Sequence, residues 1–306
     1  MPRIALASAI AATGHDDDQA PLLAACAHAG LDAQVLAWDD PTVSWRRYDA
    51  VLLRSTWNYT TRLPQFMAWC ERVDRVTTLL NPLPVLRWNT DKHYLADLAA
   101  AGVPIVPSVF VETDEEPLTA LRDFLALHLD SEEFVVKPAV GAGSRDAQRY
   151  ARDQEFAAAN HIGRLLDGGR SVLLQPYLAS VDRDGETALI YFDGDFSHAI
   201  RKGPLLRADS DAADALFARE AITARVPVAD ERSVAGHVLA ALAKTLGLAT
   251  PLAYARIDLI RDSRGEPRLL ELELCEPSLF FVHGADSASC FVDVVKRHVA
   301  AGPYAT

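Results

Sequence analysis

The chain has 306 residues, of which 50% are hydrophobic, enough for two or three domains with well-filled cores. Its formal net charge of −12 argues against nucleic acid or an anionic membrane as a partner, because both require basic patches on the protein. No apolar run reaches the length of a membrane span. We therefore expect a globular protein with a small-molecule partner, no nucleic-acid or membrane partner, and a possible homodimeric assembly.

The four cysteines, Cys26, Cys70, Cys275 and Cys290, lie far apart in the sequence. They form no Cys-x-x-Cys pair and have no histidines at the spacing of a zinc site. We interpret them as reduced core residues of a cytoplasmic protein.

The N-terminal part of the chain alternates between short apolar strands and helices. Strands are predicted at residues 4–10, 32–37 and 50–53, and a helix at residues 20–29, which Gly30 ends in the left-handed conformation. This alternation predicts a small parallel sheet.

A polar and aromatic segment follows the strand at residues 50–53. Arg54, Trp57 and Tyr59 are placed at the carboxyl end of a parallel strand, where such sheets bind ligands. Arg54 is suited to hold a carboxylate through two hydrogen bonds, and Trp57 to form a pocket wall. A packing loop whose aromatic rings cover the edge of the sheet is an equal alternative.

Two lysines lie beside features suited to phosphate. The pattern of residues 88–102 predicts one helix with Lys92 in its first turn, where the helix dipole disfavours a cation unless an anion binds there. Lys137 ends an apolar strand and precedes Gly141-Ala-Gly143-Ser144, whose backbone amides would approach phosphate oxygens closely. A solvated lysine and an ordinary hairpin turn are the plainer alternatives.

Further strands are predicted in the second half of the chain. Residues 172–178 predict a strand, and Asp193-Gly194 predicts a tight turn between two more. Arg201 and Lys202 end the second of these on opposite faces, so that one of them would reach a transferred phosphoryl group. Residues 206–229, rich in Asp and Ala, are predicted to be mobile or loosely helical.

The densest group of acidic side chains lies on a predicted C-terminal β-hairpin. With Arg264-Gly265 as a two-residue turn, Asp258 faces Glu271 across the hairpin and Arg256 faces Glu273. Carboxylates crowded on a partly buried face either protonate or hold a cation, and oxygen ligands suit Mg²⁺. The hairpin therefore predicts a Mg-nucleotide site. A solvated hairpin face with alternating charges is the alternative.

The order and spacing of these polar residues resemble those of the ATP-grasp ligases, and among them of prokaryotic glutathione synthetases. The resemblance runs from about residue 89 to about residue 280 and rests on Lys92, Lys137, the loop 141–144, Gln175-Pro-Tyr-Leu178, Asp258 and Glu271-x-Glu273. It implies an α/β (α+β) ATP-grasp fold. An N-terminal Rossmann-like pre-ATP-grasp domain, 1–88, would precede two α+β lobes that clamp the nucleotide, 89–176 with the lid and 177–306 with the Mg site.

The resemblance also implies ATP and Mg²⁺ as cofactors. The residues matching the family's nucleotide-binding positions are Lys92, Lys137, Gly141, Gly143, Ser144, Gln175, Pro176, Tyr177 and Leu178. Those matching its metal ligands are Asp258, Glu271 and Glu273, the last standing where the family usually has asparagine. This exchange is tolerable because a carboxylate binds Mg²⁺ at least as well as an amide does, although it leaves the second metal open.

Three segments resemble one antibiotic-biosynthesis branch of the family, which closes O-ureido-D-serine to D-cycloserine. They begin at Arg54, Ser197 and Glu271 and read RSTWNY, SHAIRKGP and ELELCEPSLF. The resemblance implies a carbon–nitrogen ligase that activates a carboxylate as an acyl phosphate for attack by a nitrogen. An intermolecular amino-acid or dipeptide ligase and a nucleotide-binding protein without catalysis are the alternatives.

Within this reading the remaining site residues fall into two groups. The cations expected to stabilise the transferred phosphoryl group and the intermediate are Arg201, Lys202 and Arg256. The residues expected to form the substrate pocket are Arg54, Trp57, Tyr59, Ser278 and His283.

Overall fold

The structure is a computed structural model that describes residues 1–206 and 221–302. Within these ranges the chain forms three β-sheets, each covered by helices. Each predicted domain contains one of the sheets, and the domain boundaries themselves remain a prediction.

The N-terminal sheet is parallel, with strand order β2-β1-β3-β4. Its elements in chain order are β1 (Arg3–Ser8), α1 (Gln19–His28), β2 (Asp32–Ala37), β3 (Ala50–Leu53), α2 (Leu63–Asp74) and β4 (Thr78–Leu80). The predicted parallel sheet is confirmed. Gly30 has φ +75° after α1, a conformation that glycine adopts without the steric cost of a Cβ atom.

The segment predicted as one helix at residues 88–102 is two helices, α3 (Leu83–Asn89) and α4 (Tyr94–Ala100). Lys92 therefore lies in the turn between them, and the prediction that it occupies the first turn of a helix is wrong. Its backbone N–H donates to the carbonyl of Ala139 at 3.0 Å, and the Asp91 side chain accepts from the N–H of His93 at 3.1 Å. These bonds fix the turn beside the strand that ends at Pro138.

The central sheet is antiparallel, with strand order β5-β8-β6-β7. Its elements in chain order are β5 (Val109–Val111), α5 (Pro117–Leu127), β6 (Glu133–Pro138), β7 (Gln148–Ala151), α6 (Glu155–Asp167) and β8 (Val172–Pro176). The connection between β6 and β7 contains residues 141–144, so this loop leaves the sheet directly after Lys137.

The C-terminal sheet is antiparallel, with strand order β11-β10-β9-β12-β13. The remaining elements are α7 (Ser180–Asp184), β9 (Glu186–Phe192), β10 (Asp195–Lys202), β11 (Ile222–Arg225), α8 (Ala229–Leu246), β12 (Tyr254–Arg261), β13 (Pro267–Glu273) and α9 (Ser287–Ala301). The prediction for residues 206–229 is wrong for Ile222–Arg225, which pairs with β10, and its part at 207–220 lies outside the described residues.

Helix α9 packs across the molecule against α1 of the N-terminal part. Phe291, Val292 and Val295 of α9 share a buried cluster with Leu22 and Cys26 of α1. The C-terminal helix therefore closes the core of the first sheet.

Three of the four cysteines are buried, as predicted for core residues. Cys26, Cys70 and Cys275 are buried free thiols, whereas Cys290 is exposed, so the prediction of a core position is wrong for Cys290.

Within residues 1–206 and 221–302 no helix has the length and apolar character needed to cross a bilayer.

Candidate active site

The β12–β13 hairpin brings the acidic residues together in the predicted register. Asp258 faces Glu271, and Arg256 faces Glu273. The predicted two-residue turn is wrong, however, because Asp262 and Glu266 close a three-residue loop with Gly265 at φ +79°. A bulge after Asp258 compensates for the extra residue, and the pairing at the acidic residues is unchanged.

Asp258 is the buried centre of an ion-pair network. It is 0% exposed, and its carboxylate accepts from Lys202 Nζ at 2.7 Å and from Arg256 Nε and Nη2 at 2.9 Å each. Lys202 also contacts Glu186 at 2.8 Å. Burial alone raises the pKa of Asp258, but Arg256 and Lys202 outweigh it and hold this pKa at about 2. Asp258 therefore remains ionised at neutral pH. Its side chain is not part of the cavity lining.

Glu271 and Glu273 are the hairpin carboxylates that line the cavity. Glu271 pairs with Lys92 at 2.9 Å, and Glu273 contacts Arg256 Nη2. Burial raises the pKa of the Glu273 carboxyl to about 8 in spite of Arg256, with Glu271 and Asp258 adding to the effect. The described residues contain no group of three His, Cys, Asp or Glu side chains arranged as a metal centre. Of the three predicted metal ligands, Glu271 and Glu273 line the cavity and Asp258 does not, and the metal set itself remains a prediction.

These side chains line one wall of a cavity of about 730 Å³ between the central and C-terminal sheets. Lys137 also lines it and forms no ion pair with the described residues. Burial lowers the pKa of Lys137 to about 8, and Glu271 offsets this only in part. A desolvated cation in an open cavity is a binding position for an anion.

The small-residue loop closes over the same wall. Gly141, Gly143 and Ser144 line the cavity, and Lys92 Nζ donates to the carbonyl of Gly141 at 3.0 Å. Gly143 and Ser144 have φ of +62° and +57°, and this left-handed pair turns the chain back towards β7. The loop and Lys92 are thus linked directly.

One part of the cavity lining is more apolar and contains a single buried cluster around Val106, Val181 and Ile260. This part of the lining includes Gln175, Pro176, Tyr177, Leu178, Val106, Val135, Val181, Ile260 and Leu270. The side chain of Gln175 donates to Ser108 Oγ at 2.8 Å, which fixes its orientation. The segment predicted to hold an adenine ring therefore borders an apolar slot.

The predicted substrate residues divide between the cavity and the core. Trp57, Tyr59 and Ser278 line the cavity, whereas His283 does not. The position predicted for His283 is therefore wrong, and this residue ends a short 3₁₀ turn at Phe281–His283.

Arg54 is also absent from the cavity lining, and its predicted pocket position is wrong. It is buried and contacts Asp18 at 3.3 Å. The Asp18 carboxylate accepts the backbone N–H groups of Leu279, Phe280 and Phe281 at 2.5–3.0 Å. Arg54 and Asp18 thus anchor the loop that places Phe280 in the cavity wall.

The two adjacent cations at the end of β10 are separated by the alternation of the strand. Lys202 lines the cavity, and Arg201 does not. Arg201 instead donates to the carbonyls of Asp184 and Arg183 at 2.7 and 3.1 Å. The structure thus excludes Arg201 from the cavity and leaves Lys202 as the candidate for contact with the phosphoryl group.

Sequence reasoning missed three parts of the cavity lining: Glu186, Glu276 and the loop Gly14–Asp17. Glu186 faces Lys202 only because of a bulge between Phe196 and His198, so the sequence carried no signal for it. Glu276 carried a weak signal, a lone acidic residue within Leu274-Cys-Glu-Pro277.

Comparison with known proteins identifies close relatives along almost the whole chain. Residues 4–81 match the profile of the N-terminal domain of D-cycloserine synthetase DcsG. The cycloserine biosynthesis protein DcsG of Streptomyces lavendulae is 47% identical over 285 residues, which cover 93% of this chain and 94% of that protein. The crystal structure of D-cycloserine synthetase DcsG superposes with a TM-score of 0.92 at 45% identity, covering 97% of this chain and 99% of the other.

More distant structures share the fold alone. D-alanine–D-alanine ligase from Bacillus anthracis, complexed with ATP, has a TM-score of 0.64 at 14% identity and covers 98% of both chains. The ATP-grasp ligase PsnB, complexed with a precursor peptide and AMPPNP, has a TM-score of 0.62 at 20% identity and covers 97% of this chain and 98% of its own. The predicted α/β ATP-grasp fold is confirmed, and the chain belongs to the DcsG family of D-cycloserine synthetases.

Proposed function

We propose that this protein is an ATP-dependent carbon–nitrogen ligase that closes O-ureido-D-serine to D-cycloserine in the cytoplasm. The observation that carries the proposal is the convergence of Lys92, Lys137 and Lys202 with Glu271 and Glu273 on one cavity wall. Three lysines would bind the phosphates of ATP, and two carboxylates face them. The 47% identity to DcsG supports the choice of substrate.

The cavity has the chemistry that ATP requires. The apolar slot beside Gln175–Leu178 is suited to an adenine ring, and the loop 141–144 is suited to cover the phosphates. Lys137 supports this assignment most directly, since its ammonium group is desolvated and forms no ion pair with the described residues. A phosphate oxygen would supply the missing counter-charge.

Glu271 and Glu273 fit a Mg²⁺ ion, which typically takes one or two carboxylates in addition to substrate phosphates. The raised pKa of Glu273 supports this fit, because it marks a crowded carboxylate that a divalent cation would stabilise in its ionised form. When bound, Mg²⁺ supplies charge neutralisation at the transferred phosphoryl group. Lys92 would then exchange its contact with Glu271 for a phosphate oxygen.

A carboxylate is a poor electrophile and must be activated before a nitrogen attacks it. The γ-phosphoryl group of ATP would pass to the substrate carboxylate, giving ADP and an acyl phosphate. The substrate nitrogen bonded to the side-chain oxygen would then attack the acyl carbon, phosphate would leave, and the five-membered ring would close. Because the product lacks the carbamoyl group on that nitrogen, one water must also hydrolyse the bond between this nitrogen and the carbamoyl carbon, which releases carbon dioxide and ammonia and returns a proton to the ring nitrogen. Lys202 and Arg256 are placed to offset the negative charge that develops.

The test is ADP release with Mg-ATP and O-ureido-D-serine as the only acceptor, with the product identified by mass. ADP release together with D-cycloserine is the expected result. No release with this substrate, but release with paired amino acids, would indicate an intermolecular ligase instead. ATP binding without phosphate release from any substrate mixture would indicate a nucleotide-binding protein without catalysis.

A further inference from the structure

Glu276 is a buried carboxylate in the cavity wall whose charge no neighbouring cation balances. It is 8% exposed, lines the cavity, and has no ion pair with any residue in the described parts of the chain. Apart from Asp17, which is exposed, the other acidic residues that line the cavity are paired with lysine or arginine: Glu186, Glu271 and Glu273. Glu276 therefore differs from every other buried acid of this wall.

Rigid neighbours hold Glu276 in position. Trp57 Nε1 donates to its backbone carbonyl at 3.2 Å, and the neighbouring hydroxyl of Tyr59 lowers the pKa of its carboxyl group. The ring of Tyr59 stacks on Phe66 in the core with centroids 4.8 Å apart. A carboxylate fixed in this way is preorganised, so that a ligand would not lose free energy in ordering it.

The surroundings of Glu276 compensate its negative charge only in part. Burial raises the pKa of Glu276 to about 7, the nearby Tyr59, Lys92 and Arg256 lower it only in part, and Glu271 raises it again. Lys92 and Arg256 are engaged with Glu271, Asp258 and Glu273 at closer range. A ligand ammonium group would supply the charge that the protein does not.

The position of Glu276 matches the geometry of an α-amino acid. In such a substrate the ammonium and the carboxylate are attached to the same carbon, so a group that binds the ammonium must lie next to the site of phosphoryl transfer. Glu276 is three residues beyond Glu273 and within electrostatic reach of Lys92 and Arg256. We propose that Glu276, which lines the cavity together with Tyr59, binds the α-ammonium group of the substrate and selects amino acids over simple carboxylic acids. This inference rests on the proposed function.

The experiment compares O-ureido-D-serine with its des-amino analogue, in which hydrogen replaces the α-amino group. Wild-type enzyme should prefer the amino acid in kcat/KM, and Glu276→Gln should reduce this preference by about tenfold or more, mainly through KM. Glu276→Asp, which retains the charge, should restore part of the preference. Glu266→Gln makes the same chemical change on an exposed turn and should behave as wild type. ATP affinity measured by calorimetry, expected to be unchanged, verifies that each variant is folded.

Three results would overturn the inference. An unchanged preference for the amino acid in Glu276→Gln would remove the ammonium contact. A fall in kcat with an unchanged preference would assign Glu276 to proton transfer rather than to binding. If wild-type enzyme released no ADP with O-ureido-D-serine, the proposed function would fail and this inference with it, a result recognisable before any variant is made.

Discussion

Lys202 of β10 and Asp258 of β12 form a 2.7 Å ion pair across the intervening strand β9. Asp258 is fully buried, and the ammonium group of Lys202 lies where the network meets the cavity. The buried carboxylate thus holds a cation at the wall where the phosphoryl group would be transferred. The neighbouring Arg201 is directed to the opposite face of the same strand.

The first prediction compares Lys202 with its neighbour in the sequence, Arg201. Lys202→Met should lower kcat/KM for ADP release by about 100-fold or more, as loss of one charge-stabilising donor typically does. Arg201→Met removes a cation of similar size outside the cavity and should leave kcat/KM within about threefold of wild type, because among the described residues Arg201 donates to the backbone carbonyls of Asp184 and Arg183. Equal losses in the two variants would refute the assignment to Lys202.

Strand bulges explain part of the difference between the predicted and the observed strand pairing. The predicted pairing of Asp258 with Glu271 is correct because a bulge after Asp258 offsets the one extra residue in the turn. In the β9–β10 hairpin, a bulge between Phe196 and His198 shifts the register, which places Lys202 opposite Glu186. A bulge depends on packing over the whole sheet, and local sequence does not reveal it.

The second prediction concerns Lys137. Lys137→Ala should weaken ATP binding by about 10- to 100-fold, because a charge-assisted hydrogen bond to phosphate is lost. Lys244→Ala, a change at an exposed position on α8, should leave the affinity unchanged. Calorimetric titration with ATP measures both, and equal affinities in the two variants would contradict the phosphate role.

The third prediction is a pH dependence of the same interaction. The pKa of Lys137 is lowered to about 8 by burial, so the free protein loses this charge as the pH rises through about 8. ATP affinity should therefore decline above that pH. Lys137→Arg keeps its charge at all these pH values and should show a flatter profile. Parallel profiles for the two proteins would rule out Lys137 as the titrating group.

The wrong positions predicted for Arg54 and His283 have a common physical cause. The position of Arg54 after a parallel strand predicts a place in the substrate pocket, and His283 is predicted there as well, but neither residue lines the cavity. Arg54 is held by Asp18, which is distant in sequence and binds backbone groups of a third segment. Such contacts depend on the assembled fold. Lys92 and Lys137, by contrast, both line the cavity, although Lys92 does so from a turn between two helices and not from the predicted first turn of a helix.

The fourth prediction concerns Glu271. Glu271→Gln should reduce turnover by about 100-fold or more while leaving the fold intact, because it removes the carboxylate that pairs with Lys92 and faces the cavity. Glu266→Gln, on the exposed hairpin turn, is the matched control and should retain full turnover. Circular dichroism tests the fold, and near-normal ADP release by a folded Glu271→Gln variant would exclude Glu271 from the site.

The fifth prediction is that Glu276→Gln stabilises the ligand-free protein at high pH. Because the folded-state pKa of Glu276 is raised to about 7, the folded protein binds its proton more tightly than the unfolded chain, whose carboxyl has a pKa near 4.3. Ionisation therefore costs folding free energy that grows as the pH rises from about 4 to about 7 and is constant above. Glutamine carries no charge at any of these pH values and avoids this cost.

In denaturant titrations the gain in free energy of unfolding should be near zero at pH 4 and reach about 3–4 kcal/mol at pH 8. Glu266→Gln should show no comparable pH dependence, since its carboxyl is exposed. An equal effect of Glu276→Gln at both pH values would mean that the cavity solvates this carboxylate. A stabilised but less selective variant would show that the charge of Glu276 is retained for binding at the expense of stability.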